Sequence, residues 1–549
     1  TQQETLFPYT TLFRSSRRIW SLIYQLKNSV SKTLSDGGIM APKKPAHNSA
    51  FSEAGFKRTI DALKREVAEL YLSDEIPWVV GYSGGKDSTA VLQLVWLALA
   101  ELPEDKRTKP VYVISTDTLV ENPVVSLWVS KSLERMDDEA ADQGLPLTAH
   151  KLTPAPENTF WVNLIGRGYP APRPKFRWCT ERLKINPSTQ FISSVVQQHG
   201  EAILVLGTRK AESAARAKVM ERFEEKRVRD RLSPNGSLPN SFVYSPVEDW
   251  SNDDVWMFLM QVGNPWGYNN KDLLTMYQGA SADGECPLVV DTTTPSCGDS
   301  RFGCWVCTLV EKDKSMHAMI QNDEEKEWML PLLELRNQLD PPNTPDADRH
   351  LRDFRRMNGA VQLYNDRPIP GPYKQQAREM WLRRVLQAQQ HIRENGPAEV
   401  CEIELITLQE LEEIRRIWVV EKHEIEDTLP RVYEDTTGAP YPGGSLDDNL
   451  VMGATEMELL RELCGPDELH FQLVRELLSV EKRHKSMLRR AGLFDALESS
   501  FYRNFYDNEG DAVERARHRR DALAEARDRA LNETAPAGEP SPSDEEVRQ

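Results

Sequence analysis

Short apolar runs alternate with helical patterns over residues 51–245, and this alternation constrains the fold more than any other feature of the chain. The runs are rich in β-forming residues and lie at 76–82, 111–115, 147–152, 202–207 and 242–245. Helical periodicity separates them, most clearly at about 122–141 and 187–198. We therefore expect an α/β fold class with a doubly wound, mostly parallel sheet.

Composition excludes several classes of protein. Hydrophobic residues make up 39% of the 549 positions, which rules out a wholly disordered or collagen-like chain. The longest apolar stretch, 90–100, is interrupted by Gln93 and falls short of the roughly 18 residues of a membrane span. The net charge of −17 carries no global footprint of a nucleic-acid binder, although it leaves room for a local basic groove.

Changes in composition predict five regions. Residues 1–39 hold two acidic and five basic residues and precede Met40, so we expect a non-native or disordered extension there. An organellar transit peptide has a similar composition and stays an alternative. We expect the sheet domain at 40–260, a cysteine-bearing loop region at 261–330 and a helical C-terminal domain at 331–532. The Pro/Ser/Glu-rich composition of 533–549 predicts a disordered tail.

A glycine-containing loop between the first apolar run and the next helix is the strongest candidate for a phosphate site. It consists of Ser83, Gly84, Gly85, Lys86, Asp87 and Ser88. Adjacent glycines let the backbone approach an anion, and the following helix presents unpaired N–H groups and its positive dipole end. The spacing differs from that of a Walker A loop. The alternative is a glycine turn whose helix is capped by Asp87 or Ser88.

Three further residues are candidates for nucleotide or metal contacts. Asp117 follows the second apolar run, and Asp87 or Asp117 could ligate Mg²⁺. Arg209 and Arg216 follow the fourth run, where their guanidinium groups could grip phosphate oxygens. The alternative for both arginines is an ordinary surface position.

Seven cysteines, few and clustered in a long chain, are typical of a reducing compartment and predict a cytoplasmic protein. The metal-ligand candidates follow a C-x10-C-x6-C-x2-C spacing: Cys286, Cys297, Cys304 and Cys307. Such a set suits zinc or an iron–sulfur cluster, and spacing alone does not decide between them.

The other cysteines divide into one reactive candidate and two structural ones. Cys179 is flanked by Arg177, Arg182 and Lys184, which should lower its pKa and favour the reactive thiolate. An inert buried cysteine is the alternative. Cys401 and Cys464 lie in helical patterns and are expected in the core.

A local excess of arginine marks the segment 346–386. The first group recurs at three- and four-residue spacing and could share a helix face: Arg349, Arg352, Arg355 and Arg356. A second group follows: Arg378, Arg383 and Arg384. Such charge is sufficient for contacts with DNA phosphates. A solvated face paired with neighbouring acids is the alternative.

Several of these motifs carry a family resemblance. The loop 83–88 resembles the PP-loop of the ATP pyrophosphatase superfamily, whose members split ATP between the α- and β-phosphates. Residues 207–216 resemble the G-x-R-x-x-E-S-x-x-R stretch of sulfonucleotide reductases, and 246–256 resemble its sequel. The segment 297–307, together with 353–357, 371–373 and 412–418, is similar to the DndC family of bacterial DNA phosphorothioation.

The resemblance implies a fold, cofactors, partners and residue roles. It implies the adenine-nucleotide α-hydrolase type of sheet, Mg-ATP on the loop, and a [4Fe–4S] cluster rather than zinc on the four clustered cysteines. It implies DNA as substrate, a cysteine desulfurase as sulfur donor, and DndD and DndE as further partners. Cys179 would carry a persulfide, with Lys86 and Arg209 as the other catalytic groups.

The activity so implied is that of an ATP pyrophosphatase and sulfurtransferase that adenylylates a DNA phosphate and replaces a non-bridging oxygen by sulfur. Two rivals remain open at this point. One is another PP-loop enzyme, either a phosphoadenylyl-sulfate reductase, whose C-terminal Glu-Cys-Gly-x-His signature is missing, or a tRNA thiolase. The other is a non-catalytic, nucleotide-gated DNA-binding scaffold.

Overall fold

The computed structural model describes residues 49–174, 176–227, 229–280, 302–340, 348–447, 450–485, 487 and 489–533. The described residues from Ala50 onward form one compact unit. The predicted extension at 1–39 and most of the predicted tail at 533–549 lie outside the described residues. The predicted boundaries at 260 and 330 stay predictions.

A six-stranded sheet forms the centre of the N-terminal half, and its strands match the apolar runs. In chain order they are β1 (Trp78–Gly81), β2 (Val111–Thr116), β3 (Leu147–Leu152), β4 (Ala202–Val205), β5 (Ser233–Pro234) and β6 (Ser241–Tyr244). Their order across the sheet is β3-β2-β1-β4-β6-β5. Every pairing is parallel except that of β5 with β6, as the alternation of runs and helices predicted.

Helices cover both faces of this sheet. The N-terminal helices are α1 (Phe56–Leu72), α2 (Lys86–Ala100), α3 (Pro123–Asp142), α4 (Asn186–His199), α5 (Ala214–Glu224), α6 (Asn252–Gln261) and α7 (Asn270–Gly279). Successive strand residues point to opposite faces. Trp78 and Val80 accordingly pack with α1, α2, α3, α6 and α7, whereas Val79 packs with Ile192 and Val195 of α4. The sheet is doubly wound.

The second half is helical, as expected. Its helices are α8 (Lys314–Asn322), α9 (Leu330–Leu339), α10 (Gln375–Asn395), α11 (Leu408–Arg416), α12 (Leu429–Thr437), α13 (Ala454–Cys464), α14 (Glu468–Lys485), α15 (Leu493–Asn504) and α16 (Glu509–Glu533). A two-stranded hairpin joins β7 (Leu363–Tyr364) to β8 (Arg367–Pro368). Within the described ranges, π-helical segments occur at Val162–Gly166, Thr180–Ile185 and Ile417–Glu421.

A second hydrophobic core connects the two halves of the chain. Trp161 and Ile165, which precede α4, pack in the same cluster as Trp305 and as Leu382 and Ile417 of the helical half. The indole of Trp161 donates to the backbone oxygen of Leu405 at 2.7 Å. Burial of this shared apolar surface therefore ties residues 160–183 to the C-terminal helices. Among the described residues, no helix is both long and apolar enough to cross a bilayer.

Candidate nucleotide and sulfur site

The sheet topology places a crevice at the carboxyl ends of β1 and β4. The chain proceeds from β1 to β2 and β3 on one side, and returns to β4 on the other side of β1. In an open α/β sheet such a reversal of strand order opens a crevice where ligands bind. The loop 83–88 follows β1, and Gly207 to Arg209 follow β4, so the topology brings these two predicted segments together.

The loop 83–88 is held by hydrogen bonds between its serines. The backbone N–H of Ser83 donates to Oγ of Ser88 at 3.1 Å, and the two Oγ atoms lie 3.1 Å apart. Gly84 has φ 71°, and a Cβ there would lie 2.4 Å from Cγ2 of Val129. Both the backbone conformation and the close approach of α3 therefore require glycine at this position.

The start of α2 leaves backbone donors without acceptors. The helix has Gly85 as N-cap and no side-chain capping bond, so the capping alternative for Asp87 and Ser88 does not apply. The N–H groups of Gly84, Gly85, Asp87 and Ser88 make no hydrogen bond in the described part of the chain. A group of unpartnered N–H donors at the positive end of a 15-residue helix is suited to bind phosphate oxygens.

Arg209 lies against this helix rather than on an open surface. Its side chain is buried, with 3% exposure. Nε donates to Oδ1 of Asp87 at 2.7 Å, and Nη1 donates to the backbone oxygen of Trp250 at 3.1 Å. Asp87 also pairs with Lys86, whose Nζ lies 2.8 Å from Oδ2. Asp87 thus joins both predicted cations, and Arg209 positions the start of α2.

Two other predicted contacts engage neighbours within the protein. Arg216 is exposed and pairs with Glu212 at 2.9 Å. Asp117 pairs with Lys151 at 2.9 Å and accepts the backbone N–H of Leu119 at 2.8 Å. Roles for these two residues in nucleotide or Mg²⁺ binding stay predictions.

Tyr277 on α7 belongs to the site, and no motif in the sequence marked it. Its hydroxyl accepts the backbone N–H of Lys86 at 3.3 Å. Its ring packs edge-to-face on Phe302, with centroids 4.7 Å apart. Phe302 lies two residues before Cys304, so Tyr277 connects the phosphate loop with the cysteine-bearing segment.

The loop that follows β2 contacts the cysteine-bearing segment directly. Glu121 and Cys304 form an antiparallel bridge, and the backbone N–H of Trp305 donates to the oxygen of Val120 at 2.9 Å. Oγ1 of Thr118 lies 3.3 Å from Sγ of Cys304, and Sγ lies 3.6 Å from Oε1 of Glu121. Because β1 and β2 are neighbours, this thiol lies at the same edge of the sheet as the phosphate loop.

Cys179 lies near the thiols of the cysteine-bearing segment, but the prediction that its pKa is lowered is wrong. Cys179 and Cys307 interact electrostatically, and burial raises the pKa of Cys179. Two of the three cations predicted to lower that pKa, Arg182 and Lys184, have other partners. Arg182 donates to Oδ1 of Asn158 at 3.0 Å, and Lys184 pairs with Glu121 at 3.3 Å.

The environment of Cys304 also favours the neutral thiol. Burial, together with the negative charge of Glu121, raises the pKa of Cys304 to about 12. Burial lowers the pKa of Lys184, but the charge that Cys304 carries once it is ionised, together with Glu121 at 3.3 Å, outweighs burial and raises that pKa above its usual value. Lys184 therefore remains charged beside the thiols.

The predicted metal site is described only in part. Cys286 and Cys297 lie outside the described residues. Within the described ranges, no group of three or more His, Cys, Asp or Glu side chains is arranged to hold a metal ion. The other two candidates form a tight turn in which the N–H of Cys307 donates to the oxygen of Cys304 at 3.0 Å. Two thiols in such a turn fit half of a four-cysteine donor set, for either an iron–sulfur cluster or zinc.

The arginine-rich segment differs from its prediction. Arg349 belongs to a three-residue turn, Arg349–Leu351, and 353–359 is irregular, so the first group shares no helix face. Arg355 is buried and binds Asp353, Gln472 and Asn504. Because the guanidinium donors of Arg355 are engaged with these protein acceptors, Arg355 stabilises the helical half of the chain.

The second arginine group and the two remaining cysteines also differ in part. Arg378 is buried against Glu424, whereas Arg383 lies 3.8 Å from Asp435. Cys464 packs beside a small core as predicted, but Cys401 is exposed, and its predicted core position is wrong.

One family model matches the part of the chain that carries this site. Residues 77–268 match the family model of the phosphoadenosine phosphosulfate reductase domain. That span runs from β1 past α6 and includes the phosphate loop, Cys179 and Arg209. Residues 77–268 are thus similar to a PP-loop domain of this type, and proteins that contain such a domain are typically enzymes that act on nucleotides.

Individual similarities are distant. An uncharacterised protein of Methanocaldococcus jannaschii is 26% identical over 235 residues, which cover 43% of this chain and 37% of that protein. An FMN adenylyltransferase of Candida glabrata aligns over 48% of this chain and 68% of its own, with 15% identity and a TM-score of 0.24. The U34-tRNA thiolase NcsA of Methanococcus maripaludis, solved with its [4Fe–4S] cluster, aligns over 53% and 84%, with 14% identity and a TM-score of 0.24.

Proposed function

We propose that this chain is an ATP-dependent sulfurtransferase that introduces phosphorothioate linkages into DNA. The observation that carries the proposal is the position of thiols and unpartnered backbone donors at one edge of the sheet. The loop after β1 presents the N–H groups of Gly84, Gly85, Asp87 and Ser88, and the loop after β2 contacts Cys304. A nucleotide-type anion site next to sulfur suits a reaction that couples ATP cleavage to sulfur transfer.

The first step would activate the DNA. A non-bridging oxygen of a DNA phosphate attacks the α-phosphorus of ATP, the bond to the β-phosphate breaks, and pyrophosphate leaves. The loop amides and Lys86 stabilise charge that develops on the phosphate oxygens. Arg209 acts through Asp87, which it holds at 2.7 Å, and so keeps the start of α2 in place.

The second step would transfer sulfur. The terminal sulfur of a persulfide on Cys179 attacks the activated DNA phosphorus, and AMP leaves. A second thiol then attacks the inner sulfur, so that a disulfide forms, the original S–S bond breaks and the phosphorothioate is released. A cysteine desulfurase supplies the persulfide sulfur, and DndD- and DndE-type proteins are the expected partners.

The cysteines 286, 297, 304 and 307 would hold a [4Fe–4S] cluster in this proposal. Such a cluster supplies electron transfer or a structural clamp to the loop that carries it. Cys304 is anchored by Thr118 and Glu121 of the β2 loop, which would fix the position of the cluster relative to the nucleotide.

The test combines pyrophosphate release with analysis of the product. Anaerobically purified protein with ATP should release pyrophosphate in the presence of DNA. Cells that carry the whole system should yield phosphorothioate dinucleotides after digestion of their DNA. Absence of sulfur from that DNA, or sulfur found in tRNA instead, would refute the DNA substrate.

Cys179→Ser separates the role of this thiol from that of a cluster ligand. We expect unchanged iron content and pyrophosphate release, but no phosphorothioate. Cys401→Ser is the matched control because Cys401 is exposed and far along the chain from the other cysteines. Loss of iron from the Cys179 variant would make it a ligand, and retained phosphorothioate would remove its role as carrier.

A further inference from the structure

A large charged cleft lies in the helical half of the chain, among residues that the proposed reaction does not use. Its volume is about 1130 Å³, above the roughly 300–1,000 Å³ typical of small-molecule pockets. Its wall includes the start of α10, much of the segment 417–428, the first half of α14 and the last turn of α15. The size suits a stretch of polymer better than a single small metabolite.

Most carboxylates deep in the cleft are already matched by arginines. Glu424 pairs with Arg378, and Glu426 pairs with Arg475 at 2.7 Å. Asp353 pairs with Arg355 at 2.8 Å, and Glu476 pairs with Arg503. These internal pairs leave the unmatched cations and carboxylates of the wall to determine what the cleft attracts.

Several cations of the wall form no ion pair with a carboxylate of the described residues. Lys422 makes no hydrogen bond through its ammonium group and no ion pair within the described residues. Four other cations of the wall form no ion pair with a carboxylate of the described residues: Arg167, Arg356, Lys374 and Arg431. Four wall carboxylates likewise lack a cation: Glu379, which accepts from Thr428, and the exposed Glu458, Asp467 and Asp507.

The wall of the cleft also contains buried polar atoms that have no hydrogen-bond partner among the described residues. Nη1 of Arg378 and Nε of Arg475 are buried without an acceptor, in side chains that are 2% and 7% exposed. Oε2 of Glu424 and Oε2 of Glu426 are buried without a donor. A buried polar atom without a partner is costly, so this wall is suited to a ligand that offers both acceptors and donors.

We propose that this cleft binds a nucleic acid strand, with its phosphates on Lys422, Arg356 and Arg378 and its base amino groups on Glu424 and Glu426. A strand supplies phosphate oxygens as acceptors and exocyclic amines as donors, which a free phosphate ion does not. The inference rests on the proposed function, since it names where the DNA substrate is held. It assigns the contact to an internal cleft rather than to an arginine-lined helix face.

The experiment measures binding of fluorescein-labelled DNA of about 20 nucleotides, single-stranded and duplex, by anisotropy between about 50 and 200 mM salt. The variants are Lys422→Met and Arg356→Gln. Each should weaken binding about three- to tenfold at the middle of this range, and each should reduce the salt slope by about 1. Arg393→Gln is the matched control because Arg393 is exposed on α10, is absent from the cleft wall and donates only to the backbone oxygen of Ile403 at 2.8 Å among the described residues.

Unchanged salt slopes in both cleft variants, with wild-type DNA binding intact, would overturn the inference and leave the proposed function standing. A wild-type protein that does not bind DNA would refute both. Melting temperatures are measured with and without inorganic phosphate. If the variants lose a phosphate-induced rise but keep their DNA affinity, the cleft takes a small oxyanion and the inference is wrong.

Discussion

Gly207→Ala tests whether the close packing of β4 against the start of α2 shapes the nucleotide crevice. A Cβ at this position would lie 2.8 Å from the backbone carbon and oxygen of Asp87 and 3.0 Å from the backbone nitrogen of Ser88. Ordinary contacts begin at about 3.4 Å, and backbone atoms have no rotamer by which to move away. The start of α2 must therefore shift away from β4 by several tenths of an ångström.

The cost follows from that overlap. Forced insertion of one carbon into a packed contact costs about 1–3 kcal/mol of the free energy of unfolding. The same shift displaces the N–H groups of Asp87 and Ser88, and a hydrogen bond to a charged group contributes about 1.5–3 kcal/mol. We expect ATP affinity to fall by a factor of about 10–100.

The assays are urea denaturation, followed by the fluorescence of the buried Trp78 and Trp96, and titration calorimetry with ATP. Gly263→Ala is the matched control, because a Cβ there meets no atom within 4 Å and its φ is not positive. The control should stay within about 0.5 kcal/mol of the wild type or gain slightly. Wild-type stability and ATP affinity in Gly207→Ala would refute the close approach of β4 to α2.

Three further substitutions test other contacts. Burial, with the positive charge of Arg378, lowers the pKa of Lys422 from about 10.5 to about 8, so stability falls as pH drops from the first value to the second and is then constant. The Lys422→Met variant should lose this pH dependence, and urea denaturation at pH 7 should show it to be more stable than the wild type by up to about 3 kcal/mol. Identical pH profiles of stability in the variant and the wild type would contradict this. Arg209→Met should lower the free energy of unfolding by roughly 2–4 kcal/mol and weaken ATP binding, because it leaves Asp87 without its partner. If Arg209 and Asp87 act as a pair, adding Asp87→Asn to this variant should recover part of the lost stability. Additive losses in the double variant would argue against coupling. Arg378→Met should cost about 3–5 kcal/mol by leaving Glu424 charged and buried, against at most about 1 kcal/mol for the exposed Arg416→Gln; similar losses in both would exclude a buried pair.

The sheet was predictable because its signal is local. The predicted run 147–152 is β3 itself, and the other runs differ from their strands by a few residues. Strands buried on both faces must be continuously apolar, so a run of consecutive apolar residues is enough to predict them. The phosphate loop was predictable for the same reason, since Gly84 and Gly85 sit between a strand and a helix in one short segment.

The acidity of Cys179 and the role of the arginines were not predictable, because both depend on partners distant in the chain. Arg177, Arg182 and Lys184 are neighbours of Cys179 in sequence, but Arg182 and Lys184 bind Asn158 and Glu121 instead. The spacing of Arg352, Arg355 and Arg356 suits a helix, yet tertiary contacts with Gln472 and Asn504 hold Arg355 in an irregular segment. Local spacing carries no information about such acceptors.

The sequence by itself determined the strand–loop–helix order, the glycines that a phosphate loop needs and the cysteines available as ligands. Only the tertiary structure decided which side chains meet: Arg209 with Asp87, Tyr277 with Lys86, Glu121 with Cys304. The physical reason is that backbone geometry and apolar burial are encoded over a few consecutive residues, whereas charge pairing and pKa depend on burial and on partners that only the folded chain brings within reach.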